Sequence, residues 1–206
     1  RKESSAASDV YKRQPIMKSL RDIIMLYHSI SDESYEKLDQ IMEVKEYKRK
    51  TELNNSNKFF ILKKGFVRSS TFDEKGNRKT GNILSESSIF TSIKPLPLNK
   101  KNSSLEIKFC CMSDVILYEG CFIKFLELTK THHNLSLFYN RTLETGIKMI
   151  IDKVHMLAHL DATGRYLHLK SQFPGIENLI KLNEIASYIN ITPIQLSRIR
   201  KKLYSV

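Results

Sequence analysis

The clearest pattern of hydrophobic and polar positions lies near the C-terminal end of the chain. Between Leu182 and Leu203, two short apolar runs with helical spacing are separated by a break at Asn190, a residue type that tolerates the left-handed turn conformation. Thr192 can cap the second run through its hydroxyl, and Pro193 then takes the first helical position, where its missing N–H costs nothing. Two short helices joined by about three residues predict a helix-turn-helix.

The longest periodic segment covers residues 134–160 and predicts a helix about 40 Å long. One apolar stripe on it can pack on the preceding domain and comprises Leu135, Phe138, Met149, Met156 and Leu160. The other alternates spacings of four and three, as in a coiled-coil seam, and comprises Leu143, Ile147, Ile150, Val154 and Leu157. Two stripes indicate two partners, so we expect this seam to pair with the same helix of a second chain. The alternative is a single wide stripe that faces one core.

Short runs of β-branched and aromatic residues fill the middle of the chain and alternate with turn signals. Two short helices precede them, one near Leu20 and one capped by Ser31. This spacing is typical of a small antiparallel barrel or roll. The clearest turn is Asp73 to Asn77, where Gly76 can take a positive φ. The predicted strands are residues 44–49, 59–63, 66–72, 78–84, 105–111 and 115–118, and the fold class is therefore α+β.

Composition favours a folded protein with a polyanionic partner. The 206 residues carry a formal charge of +12, and 41% of them are hydrophobic. The first fourteen residues resemble a translated sequencing-adapter scar, so we expect residues 1–16 to be a non-native leader and Met17 to be the native start. That stretch has four basic and two acidic residues, so the charge without it is still +10. Basic charge together with the helix-turn-helix predicts nucleic acid as the partner.

Two further features of composition indicate the compartment. The sequence contains no run of about 18 apolar residues, so we predict no membrane span. Its three cysteines have no framework spacing, which favours a cytoplasmic protein with reduced thiols. Cys110 and Cys111 are adjacent in a predicted strand, so one side chain is expected in the core and the other in solvent.

The second helix of the helix-turn-helix has the composition of a helix that lies in a DNA groove, with four basic residues and no acid after Ile191. An Arg at position 198 can bond guanine bidentately, and Gln195 can bond adenine in the same way. The predicted DNA-binding residues are Thr192, Ile194, Gln195, Ser197, Arg198, Arg200, Lys201 and Lys202. The alternative for the basic cluster is a solvated helix C-terminus favoured by the helix dipole.

The order of elements resembles the Crp/Fnr family of bacterial transcription regulators. The segments GRYLHLKSQFP and LNEIASYINITPIQLSRIRKKL are similar to the C-terminal unit of members common in the Bacteroidetes group. The segment FFILKKGFVRSSTFDEKGNRKT resembles the family's strand–Gly–strand hairpin. The resemblance implies a homodimer with a cyclic-nucleotide-binding-type roll and a winged-helix-like DNA-binding unit, and Arg198 matches a position where many members carry a base-contacting Arg.

The resemblance also implies a division of the chain and a set of partners. Residues 17–133 would form the sensor roll, 134–160 the dimerisation helix and 161–206 the helix-turn-helix domain. The implied partners are double-stranded DNA, a second copy of the chain, a small-molecule effector and RNA polymerase. No enzyme activity, cofactor or metal is predicted. The printed sequence ends at Val206 without the two-stranded wing of many members, either because this subgroup lacks one or because the reading frame is truncated.

The candidate effector pocket departs from the family pattern. Members that bind cyclic nucleotides hold the ribose with a Gly-Glu pair and the phosphate with an Arg-Ser/Thr pair. Residues 85–90 are Ser-Glu-Ser-Ser-Ile-Phe, and the following loop contains no Arg. We therefore predict no response to cyclic AMP. The candidate pocket residues are Glu86, Ser87, Ser88, Ser103 and Ser104.

Two alternative functions remain open at this point. One is a nucleotide-binding signalling module whose C-terminal helices contact protein and not DNA. The other is a metal-dependent enzyme that uses His155 and His159, which lie four residues apart on one helix face. The sequence offers them no third ligand and no adjacent Glu, so surface or dimer-interface histidines are the favoured interpretation.

Overall fold

The structure, a computed structural model, describes residues 18–72, 76, 78–91 and 107–204. Helices lie at both ends of the described part of the chain and strands form its middle, which confirms the α+β class. The helices are α1 Leu20–Tyr27, α2 Asp32–Asp39, α3 Phe122–Thr131, α4 His133–His159, α5 Ala162–Gln172, α6 Ile176–Leu179, α7 Leu182–Tyr188 and α8 Pro193–Tyr204. The strands are β1 Met42–Tyr47, β2 Glu52–Leu53, β3 Lys58–Lys64, β4 Val67–Phe72, β5 Arg78–Leu84, β6 Ile89–Thr91, β7 Lys108–Cys111 and β8 Val115–Cys121.

Within the described ranges the strands form two four-stranded sheets, and every strand pair in them is antiparallel. One has the order β1-β8-β3-β6 and the other β2-β7-β4-β5. Their facing sides enclose an apolar cluster that includes Phe60, Leu62 and Phe109. Phe59 and Ile61 alternate with these residues along β3 and are buried on its other face, because helices cover that side of the sheet. The continuous run Phe59–Leu62 is apolar because both faces of the strand are covered.

The helical cover of the first sheet comes from both ends of the roll. Residues of α1, α2, α3 and α4 share one cluster with Phe59 and Ile61 of β3. Ser31 caps α2 by accepting a hydrogen bond from the Ser34 N–H, as predicted. Ser19 caps α1 in a reciprocal box with Asp22, a signal that the sequence prediction missed.

Helix α4 separates its two apolar stripes as predicted. Leu135, Phe138 and Met156 are buried against the rest of the chain. The predicted seam is exposed at Leu143, Ile147, Ile150 and Val154, while Leu157 is partly buried. One stripe therefore belongs to the core of this chain, and most of the other faces solvent.

The C-terminal helices pack on the roll through a third cluster. Ile83 of β5 and Met112, which follows β7, are buried together with Tyr166, Leu169 and residues of α6 to α8. A hydrogen bond from the Thr80 N–H to the Ser187 Oγ (3.1 Å) also joins β5 to α7. The helix-turn-helix is thus attached to the outer face of the second sheet as well as to α4.

The structure corrects several details of the sequence prediction. Strand β5 has the predicted bounds 78–84, whereas β2, β6 and α6 were not predicted. The prediction that one of Cys110 and Cys111 faces solvent is wrong, since both are buried. Cys111 faces the roll interior, and Cys110 lines a cleft covered by the C-terminal helices. In the predicted hairpin loop only Gly76 is described, with φ +77°, and residues 92–106 lie outside the described part of the chain.

Candidate nucleic-acid interface

The turn between α7 and α8 is built by a helix C-cap of the Schellman type. Asn190 takes the left-handed conformation with φ +55°. The Ile191 N–H donates to the Ala186 oxygen (3.0 Å), and the Asn190 N–H donates to the Ser187 oxygen (3.3 Å). These bonds satisfy carbonyls at the end of α7 and set the direction in which α8 begins.

The start of α8 is fixed by a reciprocal capping box. The Gln195 N–H donates to the Thr192 Oγ1 (3.2 Å), and the Thr192 N–H donates to the Gln195 Oε1 (2.8 Å). The predicted cap at Thr192 is confirmed. The sequence pattern Thr-x-x-Gln was the available signal for the second half of the box. With its oxygen engaged, Gln195 can offer its amide N–H₂ to a ligand, but it cannot bond adenine bidentately unless this cap opens.

The outward face of α8 combines an apolar residue with cations. Leu196 anchors the helix in the core, at 1% exposure, whereas Ile194 is 66% exposed. Ser197, Arg198, Lys201 and Lys202 are exposed on the same helix. Within the described residues, Arg198 has no hydrogen bond or ion pair, so its guanidinium is available for a ligand.

Arg200 differs from the other predicted DNA contacts because it already has a partner. Its Nε lies 3.0 Å from the Glu177 carboxylate of α6 and it is only partly exposed. Glu177 also accepts a hydrogen bond from the Tyr166 hydroxyl and pairs with Lys170 (3.3 Å). Burial alone would raise the pKa of Glu177, but these hydrogen bonds and the nearby cations lower it. The carboxylate therefore stays ionised and ties α8 to the helices behind it.

The predicted effector residues lie at the turn between β5 and β6. Ser87 has φ +70°, and its carbonyl accepts a hydrogen bond from the Tyr27 hydroxyl (2.8 Å). Glu86 is exposed, and Ser88 bonds the Ser85 N–H through its hydroxyl (3.2 Å). Ser103 and Ser104 lie outside the described residues, so an effector site at this group stays a prediction.

A different cavity, of about 260 Å³, lies between the roll and α4. Aromatic rings from β3, β6 and β7 (Phe59, Phe90, Phe109) and from α3 (Phe122, Phe125) line it. Its polar lining among the described residues is limited to neutral groups such as Ser69, Asn82, Thr91 and Thr142. Leu143, Ile147 and Ile150 of the exposed seam also border the cavity, so it opens toward that face of α4.

The two histidines on α4 lie close together. The rings of His155 and His159 are 4.4 Å apart between centroids. No group of three or more His, Cys, Asp or Glu side chains that could hold a metal ion is found within the described ranges. In the same ranges no helix is both long and apolar enough to cross a bilayer.

Comparison with known proteins identifies the fold. No protein-family model matches the sequence, and no curated protein matches it. A protein assigned to the Crp/Fnr family of transcriptional regulators from Eubacterium rectale is similar in structure, with a TM-score of 0.65, 12% identity and coverage of 84% of this chain and 83% of that one. FixK2 from Bradyrhizobium japonicum gives a TM-score of 0.64 at 14% identity, over 80% and 85% of the two chains.

A third similar structure carries the same architecture. It is a cyclic nucleotide-binding domain containing protein from Listeria monocytogenes, with a TM-score of 0.60, 12% identity and coverage of 84% and 87%. At these identities the likeness shows the fold: a cyclic-nucleotide-binding-type roll, a long helix and a C-terminal helix-turn-helix, as in the Crp/Fnr regulators.

Proposed function

We propose that the chain is a sequence-specific, DNA-binding transcription regulator of the Crp/Fnr type and not an enzyme. The observation that carries the proposal is the outward face of α8. There a capped helix presents exposed Ile194, two exposed lysines, and Arg198, which has no partner among the described residues. The fold shared with transcription regulators supports it. The Bacteroidetes affinity, the domain limits, RNA polymerase as a partner and a cytoplasmic location stay predictions.

Base recognition is assigned to the N-terminal half of α8. An exposed Arg such as Arg198 can bond the O6 and N7 atoms of guanine, for about 1–3 kcal/mol of discrimination. Ile194 offers an apolar surface suited to a thymine methyl group. Gln195 contributes its amide N–H₂ as a single donor while its oxygen holds the cap.

Phosphate contacts are assigned to the second half of the helix. Ser197, Lys201 and Lys202 are exposed there, and contacts of this kind give affinity that falls as the salt concentration rises. Arg200 is assigned a weaker role, because a phosphate would have to compete with Glu177 for its guanidinium.

The experiment is a selection from random duplex DNA with the purified chain, followed by affinity measurements on the enriched sequence. Arg198→Ala should weaken binding by at least tenfold, because it removes a charged bidentate contact. Lys37→Ala is the control, since it removes one cation from an exposed position on α2. If no sequence is enriched, or if both variants bind alike, the regulator proposal fails. In that case the alternative, a signalling module that does not bind DNA, becomes the better account.

The functional unit is proposed to be a homodimer. Four apolar residues of the α4 seam are between 37% and 60% exposed in the single chain, and apolar side chains at coiled-coil spacing are stabilised by a partner helix. Two copies would present two recognition helices to half-sites about 34 Å apart on the DNA.

The effector is proposed to be a small apolar molecule and not cyclic AMP. The cavity between the roll and α4 is lined by aromatic and aliphatic side chains, and the described residues around it include no Arg for a phosphate. Transfer of an unpaired phosphate from water into this cavity would cost more desolvation free energy than its apolar contacts could supply. Indole should therefore bind in this cavity and raise the melting temperature, and cyclic AMP should not bind there.

Gly146→Leu is the variant that tests this cavity. Gly146 borders it, and a Cβ added to this helical glycine meets no atom within 4 Å, so the larger side chain can fill the space. The stabilisation by indole should disappear in this variant. Stabilisation by cyclic AMP that disappears in Gly146→Leu, or an indole effect that survives Gly146→Leu, would contradict the proposed effector chemistry.

A further inference from the structure

A second cleft, of about 580 Å³, lies between the roll and the helix-turn-helix. The outer face of the sheet β2-β7-β4-β5 forms one wall through Arg68, Arg78 and Thr80. Lys181, Asn183, Glu184 and Ser187, at the start of α7 and within it, form the other. The cleft is therefore bounded by two parts of the chain that are far apart in sequence.

The charges along this cleft do not balance. Among the described residues its lining contains five cationic side chains and two carboxylates, a formal surplus of three positive charges. Arg78 pairs with Glu52 (2.6 Å), and Arg68 lies 3.5 Å from the other carboxylate, Glu184. The remaining cations are Arg49, Lys50 and Lys181. A surplus of cations in a concave site attracts a multiply charged anion.

Arg68 is the buried residue among these five cations, and the other four are exposed. Its side chain is 10% exposed, and among the described residues its buried Nε has no hydrogen-bond partner. Its contact with Glu184 is long for a charged hydrogen bond. Ser70, two residues along the same strand and on the same face, also has a buried hydroxyl with no hydrogen-bond partner in the described part of the chain. A buried donor without a partner costs free energy. An anion that accepts hydrogen bonds from the Arg68 guanidinium would remove that cost and would therefore be bound more favourably.

We propose that this cleft binds a small organic phosphate. An Arg guanidinium presents paired N–H groups that match phosphate oxygens, and Arg78 and Lys181 supply further positive charge from the two walls. The cavity volume falls in the range of about 300–1,000 Å³ that is usual for small-molecule sites, so it has room for the organic part. Because the anion contacts both walls, it holds α7 against the roll. The site does not depend on DNA binding and goes beyond the proposed regulator function.

The test uses the purified full chain with inorganic phosphate and adenosine 5′-monophosphate as probes, each against chloride at equal ionic strength. Saturable binding in calorimetry, with a rise in melting temperature, is expected for at least one probe. Arg78→Gln and Lys181→Gln should each weaken it by at least tenfold. These two positions are used because Arg68→Gln alters a buried residue and could reduce folding.

Two control variants locate the binding. Lys37→Gln lowers the net charge equally but lies outside the cleft, and Arg198→Ala removes the main candidate DNA contact on α8. Both should leave phosphate binding unchanged. The proposal is overturned if neither probe binds more than chloride does, if Lys37→Gln weakens binding as much as the cleft variants do, or if binding is lost in Arg198→Ala and kept in Arg78→Gln.

Discussion

At the scale of single residues, local chemistry was predictable and long-range partners were not. The positive φ of Asn190 and the cap at Thr192 follow from rules that involve neighbours in the sequence. The partner of Arg200 does not, because Glu177 lies on a helix that the apolar pattern did not predict. The same limit explains the wrong prediction for the adjacent cysteines. The strand face that carries Cys110 was expected in solvent, but helices from the C-terminal part of the chain cover it.

Asn190 gives a test of the turn. Glycine takes this left-handed conformation without strain and asparagine tolerates it, whereas a β-branched residue there is destabilised by about 1–2 kcal/mol. Asn190→Val should lower the free energy of unfolding by about that amount, and Asn190→Gly should leave it unchanged or raise it slightly. Urea titrations of the two variants measure the difference. Equal stability of the valine and glycine variants would contradict the turn geometry.

Lys153 gives a pH-dependent prediction. Burial lowers its pKa from 10.5 to about 8, while its Nζ donates to the Thr80 and Gly81 carbonyls and lies 4.3 Å from the centre of the Tyr188 ring. Between these two pH values the unfolded chain holds a proton that the folded chain has released. The contribution of Lys153 to the free energy of unfolding should therefore rise with pH across this window, by at most about 3 kcal/mol, and stay constant below pH 8.

The measurement for Lys153 compares the wild-type chain with Lys153→Met at several pH values. Subtracting the two stability curves removes the titration of all other groups. A difference that stays flat from pH 8 to 10.5, or that moves in favour of the methionine variant, would refute the lowered pKa.

At the scale of elements, long periodic segments were predicted better than short ones. The 27-residue helix α4 was predicted to within one residue at each end, because its apolar stripes repeat over many turns. Strands β2 and β6, with two and three residues, have too few positions to show alternation. Their pairing with β7 and β3 depends on contacts that the local pattern does not contain.

The seam of α4 is the element with the most direct consequence. Ile150 is 58% exposed in the single chain, so Ile150→Glu should leave the fold intact. In a dimer it would place two carboxylates within an apolar seam, and the dissociation constant should rise by at least a hundredfold. Sedimentation equilibrium measures this, with Thr145→Glu, at an exposed position outside the seam, as the control. A wild-type monomer, or a variant that dimerises as well as the control, would exclude the seam as the interface.

At the scale of the whole molecule, the roll and the helix-turn-helix share one hydrophobic cluster. Ile83 of β5 is buried among residues of α5 to α8, and Thr80 bonds Ser187, 107 positions further along the chain. Nothing in the local sequence pattern predicts such a contact, although the small size of the C-terminal unit indicated that it must pack on its neighbours.

This shared cluster predicts that damage in the roll reaches the recognition helix. Ile83→Ala should cost about 2–5 kcal/mol and reduce hydrogen-exchange protection in α7 and α8 as well as in β5. Leu38→Ala, in the cluster around α1 and α2, is the control and should leave α7 protected when exchange occurs by local opening. Loss of protection in β5 alone would mean that the two units are not coupled through Ile83.

The central claim, a dimer that recognises a DNA sequence through α8, is tested most directly by genomic footprinting of the protein in cells. The account predicts discrete occupied sites that share an inverted repeat, with half-site centres about one helical turn apart, and loss of occupancy in Arg198→Ala. Occupancy spread without sequence preference, or sites that remain occupied in Arg198→Ala, would contradict it.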